Sequence, residues 1–480
     1  MEHDVDLIVI GAGPVGENVA DRARAAGLEV TIVERELVGG ECSYWACVPS
    51  KTLLRSAAAL RAAQRVPGAA QAVSGALDVA AVLARRNAFV SDWSDEGGAD
   101  WLASVGIRLE RGHGRLDGPR RVVVERSDGS TTSLRARHAV AIATGSDAAI
   151  PPIDGIRDAR PWTSREATSA QSAPDRLAVI GGGTVAVEMA TAYAGFGSEV
   201  TVLARGALLS NQEPFAGEAV ADGLRALGAT VRLDTSVDRV DRTATGEVVL
   251  TLGGGETVVA DEVLVATGRT PRTQDVGLET IGLEPGAWID TDDTLLVHGA
   301  AGDGDWLYAV GDVTHRALLT HQGKYQARAA GDVIAARALG RPVDDAPWGA
   351  HAATADHAAV PAVIYAEPEV ATVGLTEAAA MRAGLTVRTA EVGLDSVSGA
   401  GIHSDGPAGR AKLVIDRDRE VIVGATFVGQ DVSELLHAAT IAVVAEIAVD
   451  RLWHAVPTFP SVSEIWLRLL EALGRPEATA

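Results

Sequence analysis

Two stretches of the chain share one pattern of hydrophobic and polar positions. The first, LIVIGAGPVGENVADRARAAGLEVTIVER (7–35), is an apolar run, a glycine-rich turn, an amphipathic stretch and a second apolar run. The second, LAVIGGGTVAVEMATAYAGFGSEVTVLAR (177–205), aligns with it without a gap at an offset of 170 residues. Short apolar runs on either side of an amphipathic helix are typical of parallel strands. Each stretch is therefore predicted to be a βαβ unit.

The glycines of both stretches suit the binding of a dinucleotide. Gly11 permits a tight turn and Gly13 lets a pyrophosphate approach the backbone, and Gly181 and Gly183 repeat them. Gly16, whose counterpart is an alanine, lets the helix pack closely on the strand. A single motif of this kind is weak, but two complete units predict two dinucleotide sites, with phosphates at the helix N-termini.

The two units differ at the end of their second strand. Glu34 closes the first unit, where a carboxylate can accept hydrogen bonds from a ribose with a free 2′-hydroxyl. The second unit has Ala204 there, followed by Arg205, which could bind a 2′-phosphate. We therefore expect FAD in the first unit and NADPH in the second. NADH remains the alternative, because Arg35 occupies the position of Arg205 in the first unit.

The composition is that of a globular protein with an acidic surface. With 480 residues, 47% of them hydrophobic and 22% charged, the chain is expected to form several domains. A net charge of −22 repels phosphate backbones, so nucleic acid is not an expected partner. The start, MEHDVDLIVIGAG, has no basic segment or cleavage site, and no apolar run is long enough to span a membrane. We expect a cytoplasmic protein without a membrane partner.

The chain has two cysteines, and both lie in GGECSYWACVPSK (39–51). In a reducing compartment, a close pair such as Cys42 and Cys47 is typical of redox catalysis or metal binding. A zinc site needs further ligands and there is no other cysteine, which favours a redox pair and no metal. On a regular helix the two residues would be about 7.5 Å apart along the axis, too far for a disulfide. A Cys42–Cys47 disulfide therefore requires a distorted backbone between them.

At this segment the chain resembles the FAD-dependent pyridine nucleotide–disulfide oxidoreductases, which include dihydrolipoamide dehydrogenase, glutathione reductase and mercuric reductase. The resemblance covers nearly the whole chain. VLARGALLSNQEP (202–214) is most similar to the mercuric reductases, which also prefer NADPH. The other matching motifs follow in the family's order: AIATGS (141–146), VATGRTP (265–271), LYAVGDV (307–313), LLTHQGKYQA (318–327) and VPAVIYAEPEVATVG (360–374).

The resemblance implies roles for the matched residues. Cys47 would lie against the flavin and Cys42 would attack the substrate. Lys51 and Glu188 would pair beside flavin N5, where a cation stabilises the reduced, anionic ring. Asp312 would bind the ribityl chain of the flavin. The other cofactor-binding positions that these motifs imply are Thr144, Gly145, Gly268 and His321.

The tail, WHAVPTFPSVSEIW (453–466), departs from the family. Its disulfide reductases have a histidine before Pro-Thr that protonates the leaving thiolate, and then a glutamate. Val456 and Ser461 occupy these positions here. Valine cannot transfer protons, and general acid–base help typically contributes about 10²–10⁴-fold. His454 and Glu464 could replace the pair if the local backbone shifts.

Three functions are compatible with these residues. The first is an oxidoreductase that passes electrons from NADPH through FAD to Cys42–Cys47, and on to a quinone, a metal ion or an unusual disulfide. The second is a dihydrolipoamide dehydrogenase or low-molecular-weight disulfide reductase with a non-standard acid. The third is a silent flavin-binding redox sensor. The chain lacks the C-terminal cysteine pair of mercuric reductases, so we do not expect that activity. The bulky Tyr44 and Trp45 either crowd the disulfide or offer a stacking face.

The expected fold class is α/β, with two doubly wound dinucleotide-binding domains and a C-terminal α+β dimerisation domain. The FAD domain is predicted to be split between 1–150 and 272–345. The NAD(P)H domain would occupy 151–271 and the dimer-interface domain 346–480. The resemblance implies a homodimer with each active site near the partner's tail.

Overall fold

The structure, a computed structural model, describes residues 2–475. The chain divides into two compact units, each assembled from three segments. The first unit contains residues up to 49, 86–149 and 268–356, and the second contains 50–85, 150–267 and the residues from 357 onward. The four domain boundaries given above remain a prediction.

Strands separated by helices alternate along the chain with runs of consecutive strands. The strands are β1 (Glu2–Ile10), β2 (Val30–Glu34), β3 (Arg108–Arg111), β4 (His113–Leu116), β5 (Arg121–Glu125), β6 (Thr131–Ile142), β7 (Ser146–Ala148), β8 (Arg176–Ile180), β9 (Glu199–Leu203), β10 (Thr230–Arg232), β11 (Val237–Arg242), β12 (Val248–Leu252), β13 (Thr257–Ala260), β14 (Glu262–Val265), β15 (Arg269–Pro271), β16 (Leu307–Ala309), β17 (Pro361–Ile364), β18 (Glu369–Gly374), β19 (Val387–Gly393), β20 (Arg410–Asp416) and β21 (Val421–Gly429).

The helices range from single turns to the long α3 and α10. They are α1 (Pro14–Ala25), α2 (Gly40–Tyr44), α3 (Cys47–Gln64), α4 (Ala69–Ala72), α5 (Val79–Phe89), α6 (Glu96–Ser104), α7 (Ser164–Ser169), α8 (Thr184–Phe196), α9 (Pro214–Ala226), α10 (Thr320–Ala338), α11 (Ala355–Ala358), α12 (Glu377–Arg382), α13 (Ser398–His403), α14 (Leu436–Val444), α15 (Val449–Leu452) and α16 (Ile465–Leu473). Short 3₁₀ turns lie at Ser91–Trp93, Leu278–Ile281, Gly311–Thr314, Leu394–Ser396, Val432–Leu435 and Val462–Glu464.

The sheet of the first unit has the strand order β3-β2-β1-β6-β5-β4, and β16 pairs with β6. The pairs that involve β1, β2, β3 and β16 are parallel, whereas β4, β5 and β6 form an antiparallel meander. The predicted βαβ unit is confirmed, since β1, α1 and β2 follow in order and Leu7 lies beside Val30. Both faces of β1 are covered, which explains why Leu7, Ile8 and Val9 are all fully buried.

The second unit repeats this arrangement. Its parallel sheet has the order β10-β9-β8-β14, and Leu177 lies beside Val200, the same pairing shifted by the repeat offset. Strands β11, β12 and β13 form a separate antiparallel sheet. The C-terminal part is an antiparallel sheet, β17-β18-β21-β20-β19, with α14 packed on β18 and β21 and α16 on β19 and β20. The predicted fold class is therefore confirmed.

Within residues 2–475, no helix is both long enough and apolar enough to cross a membrane.

Candidate active site

The two cysteines lie on either side of a break between two helices. Cys42 is in α2, and Cys47 is the first residue of α3. Trp45, with φ −136° and ψ 0°, ends α2 and leaves the helical path. Both cysteines are present as thiols rather than as a disulfide. The backbone between them is thus distorted in the way that a redox pair with this spacing requires.

The thiols contact each other and a hydroxyl group. Cys47 Sγ lies 3.2 Å from Thr320 Oγ1, at the start of α10. The pKa of the Cys42 thiol is raised far above its usual range, first by its hydrogen bond with Cys47 and then by burial. Cys42 therefore holds its proton more tightly than an ordinary cysteine does. Sequence reasoning missed Thr320, although the residue immediately precedes His321 in a matched motif.

The second unit holds an ion pair between Lys51 and Glu188. The Nζ of Lys51, on α3, lies 2.8 Å from Oε2 of Glu188, on α8. The Glu188 side chain is 4% exposed and the Lys51 side chain 36%. Tyr365 contacts both partners, because its backbone N–H donates to Glu188 Oε1 at 3.0 Å and its ring lies 5.3 Å from Lys51 Nζ. Tyr365 was also missed by sequence reasoning.

The first glycine turn leaves the space that a dinucleotide needs. Gly11 has φ +103°, and a Cβ there would lie 2.5 Å from the Ala143 carbonyl oxygen. A Cβ on Gly16 would lie 1.9 Å from the Gly11 oxygen, so glycine permits the close packing of α1. A Cβ on Gly13 would meet nothing nearer than 4.0 Å, and no side chain caps the first turn of α1. Its N–H groups are open to phosphate, so these residues fit FAD.

Acidic and hydroxyl groups continue this site within the first unit. Glu34 is buried, and its carboxylate accepts the Ala12 N–H at 2.8 Å and the Glu36 N–H at 2.7 Å. Asp312 accepts a hydrogen bond from the Ser146 hydroxyl. Each carboxylate retains lone pairs for ribose or ribityl hydroxyls.

The remaining positions of the matched motifs have backbone or helix-end roles. The Thr144 hydroxyl donates to the Arg272 carbonyl oxygen at 2.7 Å. Gly145 has φ +76°, with open space where a Cβ would be. Gly268 has φ +146° and its carbonyl oxygen accepts the Ala149 N–H. His321 is exposed in the first turn of α10.

The second glycine turn has the same form. Gly181 has φ +138°, and a Cβ there would lie 2.2 Å from the Ala266 oxygen. Around Gly183 the space is open, and no side chain caps α8. Ala204 is buried, whereas Arg205 is exposed, with no hydrogen bond or ion pair to the part of the chain that the structure describes. This turn fits a nucleotide with its phosphates at α8.

The tail residues of the departing segment do not form an acid–base pair. Val456 is 84% exposed and Phe459 73% exposed. His454 is exposed, whereas Glu464 is buried and forms an ion pair with Arg468 at 2.6 Å. The carboxylate that could have oriented His454 is thus already bound to a guanidinium group.

Comparison with known proteins agrees with this geometry. Residues 5–331 match the family model of the pyridine nucleotide-disulphide oxidoreductases, and residues 360–469 match the dimerisation domain of that family. The mercuric reductase of Acidithiobacillus ferrooxidans is 35% identical over 94% of this chain and 79% of its own length. Dihydrolipoyl dehydrogenase 2 of Haloarcula marismortui is 30% identical over 96% of this chain and 94% of its own length.

Solved structures show the same architecture. LpdA from Mycobacterium tuberculosis has a TM-score of 0.81 and 25% identity, over 98% of this chain and all of that one. A Cu(II) complex of the flavoprotein disulfide reductase RclA from Escherichia coli has a TM-score of 0.83 and 24% identity, over 98% of this chain and 99% of that one. The chain is therefore an enzyme that belongs to the pyridine nucleotide-disulphide oxidoreductase family.

Proposed function

We propose that this enzyme oxidises NADPH, reduces the Cys42–Cys47 disulfide through FAD, and passes the electrons to a small acceptor. The balance is NADPH, one proton and the disulfide giving NADP⁺ and two thiols. When bound, FAD supplies the centre that takes hydride from the nicotinamide and passes an electron pair to sulfur. The observation that carries the proposal is the hydrogen-bonded thiol pair on either side of a helix break.

The side chains around the sulfurs and the lysine have separate tasks. The Thr320 hydroxyl can donate to a Cys47 thiolate, and the positive end of α3 favours negative charge on the same sulfur. Glu188 holds the Lys51 ammonium in place, so that its charge is available to a reduced, anionic flavin. The Cys42 thiol can pass its proton to the Cys47 thiolate that it contacts, and the Cys42 thiolate then attacks the acceptor.

Arg205 supports NADPH as the electron donor. It follows the buried Ala204, so no carboxylate repels a 2′-phosphate, and its guanidinium group is exposed. We expect Arg205→Ala to raise KM for NADPH about tenfold and to leave KM for NADH almost unchanged. Arg35→Ala, at the same place in the first unit, is the matched control and should alter neither value. Equal effects of Arg205→Ala on both nucleotides would show that Arg205 does not recognise the 2′-phosphate.

The acceptor is proposed to need little proton delivery from the tail. Val456 and Ser461 stand where a histidine and a glutamate would act, and Glu464 is bound to Arg468. Quinones, metal ions and disulfides with acidic leaving thiols meet this requirement. The similarity to mercuric reductases supports metal ions as one class of candidate acceptor. Both cysteines of this sequence belong to the redox pair, however, so no further thiol is present to hand Hg²⁺ inward.

A dihydrolipoamide dehydrogenase or low-molecular-weight disulfide reductase is the second candidate. It is favoured by the dihydrolipoyl dehydrogenase relatives, which match along almost their whole length. We propose a homodimer because of the matched dimerisation domain. A cytoplasmic location is proposed because a redox-active cysteine pair is more typical of a reducing compartment than of secreted proteins, whose cysteines form structural disulfides.

One anaerobic experiment tests the proposal. The purified protein is titrated with NADPH and with NADH while flavin absorbance and the long-wavelength thiolate–flavin band are recorded, and acceptors are then added. We expect reduction by NADPH, appearance of the band, and turnover with quinones or metal ions. Cys47→Ser should abolish the band. Fast turnover with lipoamide that His454→Ala abolishes would favour the second candidate, and a protein without flavin would refute both.

A further inference from the structure

Helix α2, which contains Cys42, and the residues just before it are hydrogen-bonded to a short segment at residues 94 and 95. Tyr44, two residues after Cys42, is buried, and its hydroxyl donates to the Ser94 carbonyl oxygen at 3.1 Å. Its ring packs against Gly39, where a Cβ would lie 3.0 Å from Tyr44 Cε2. Tyr44 therefore fixes the C-terminal end of α2 to the backbone at residue 94.

The other end of the same helix is fixed by the next residue of that segment. The Val38 N–H, just before α2, donates to Asp95 Oδ2 at 2.7 Å. The Asp95 carboxylate is itself held by Arg111 at 2.7 Å. Ser94 and Asp95 are neighbours and bind the two ends of the segment 38–44. Cys42 lies between these two ends. All these residues belong to the first unit.

The segment that provides these two contacts follows a strained turn. Ser91, Asp92 and Trp93 have φ values of +50°, +48° and +59°, so three consecutive non-glycine residues are left-handed. Each such residue is disfavoured relative to a right-handed conformation, and runs of them are rare. Strain of this kind persists where the surrounding structure over-determines it, which is a feature of functional sites.

We propose that Tyr44 is a positioning residue for Cys42, anchored by the turn Ser91–Trp93 through Ser94. The tether keeps Cys42 within hydrogen-bonding distance of Cys47, so the two sulfurs have a high effective concentration for disulfide formation. Loosening α2 would let Cys42 leave this contact and expose its sulfur to reagents. This inference rests on the proposed role of Cys42 as the thiol that meets the substrate.

Tyr44→Phe removes the hydroxyl tether and keeps the ring. The purified flavoprotein is reduced with dithiothreitol, freed of it, and alkylated with iodoacetamide, and modification of each cysteine is followed by peptide mass spectrometry. We expect Cys42 to react about three- to tenfold faster than in the wild type. In dithiothreitol redox buffers, the dithiol–disulfide equilibrium should shift about threefold towards the dithiol, which corresponds to about 14 mV.

Tyr193→Phe is the matched control. Its hydroxyl also donates to a backbone carbonyl, that of Ala167 at 2.7 Å, in the second unit. Both variants should lose a similar amount of thermal stability, but Tyr193→Phe should leave Cys42 alkylation and the disulfide equilibrium unchanged. Unchanged values in Tyr44→Phe, or equal changes in both variants, would overturn the proposal.

The same measurement separates this proposal from the proposed function. A wild-type protein whose Cys42 and Cys47 do not form a disulfide in these redox buffers would contradict the proposed redox pair. A wild-type protein with a reactive Cys42, whose rate Tyr44→Phe does not change, would contradict only the tether.

Discussion

Two buried glutamates of the second unit make nearly identical contacts but are expected to have different roles. Glu188 accepts the Tyr365 N–H at 3.0 Å and binds Lys51 at 2.8 Å. Glu213 accepts the Glu377 N–H at 2.7 Å and binds Lys412 at 2.9 Å. Their side chains are equally buried, 4% exposed in each case. Replacing each glutamate in turn therefore distinguishes the loss of stability that follows removal of a buried carboxylate from a loss of catalytic rate.

We expect Glu188→Gln to slow flavin reduction by NADPH about tenfold or more, because Lys51 then loses the charge that holds it. A tenfold change corresponds to about 1.4 kcal/mol in activation free energy. Both variants should lower the melting temperature by a similar amount. Glu213→Gln, however, should leave the rate of flavin reduction unchanged. Stopped-flow absorbance gives the rate and calorimetry gives the stability. Equal rates in the two variants would remove Glu188 from the proposed mechanism.

At the scale of elements, the left-handed turn Ser91–Trp93 allows a prediction about stability that depends only on backbone conformation. Asp92 is exposed and has φ +48°. Asp92→Gly removes the carboxylate and relieves the left-handed strain, whereas Asp92→Val removes it and places a β-branched residue where such residues are rare. We expect the valine variant to be less stable than the glycine variant by about 1–2 kcal/mol in chemical denaturation. The same stability in both would show that the turn relaxes without cost.

The elements that sequence reasoning predicted are those whose signals are local. The βαβ units follow from apolar runs and glycine turns within 29 residues each, and the helix break follows from the Cys42–Cys47 spacing. Thr320 and Tyr365 were missed because their partners are distant in sequence. Thr320 is 273 residues from Cys47, and Tyr365 is 177 residues from Glu188. Both residues lie within matched motifs, but no local pattern in a single sequence indicates which distant residue each one contacts.

At the scale of the whole molecule, stability should depend on pH through Glu17, in the first turn of α1. Burial raises the pKa of this carboxyl from 4.5 to about 7, with Lys324 opposing the shift and Glu34 adding to it. Below pH 4.5 the group is protonated in both the folded and the unfolded states. As pH rises from 4.5 to 7, the unfolded chain releases this proton and the folded protein keeps it, so stability is lost over this range. Phosphates at the start of α1 would raise the pKa of Glu17 further, as the charge of Glu34 does.

Glu17→Gln should therefore stabilise the protein at pH 8 and have little effect at pH 4.5. The amide is neutral at every pH, so the variant escapes the cost of burying a carboxylate, which is about 2 kcal/mol after allowance for partial exposure. For a chain of this length that free energy corresponds to a rise in melting temperature of about 2 °C. Scanning calorimetry at both pH values measures the difference. Glu125→Gln, which alters an exposed glutamate of β5 in the same unit, is the control and should shift neither melting temperature. A stabilisation by Glu17→Gln that is equal at both pH values would show that folding does not shift the pKa of Glu17, and that the pH dependence of folding originates elsewhere.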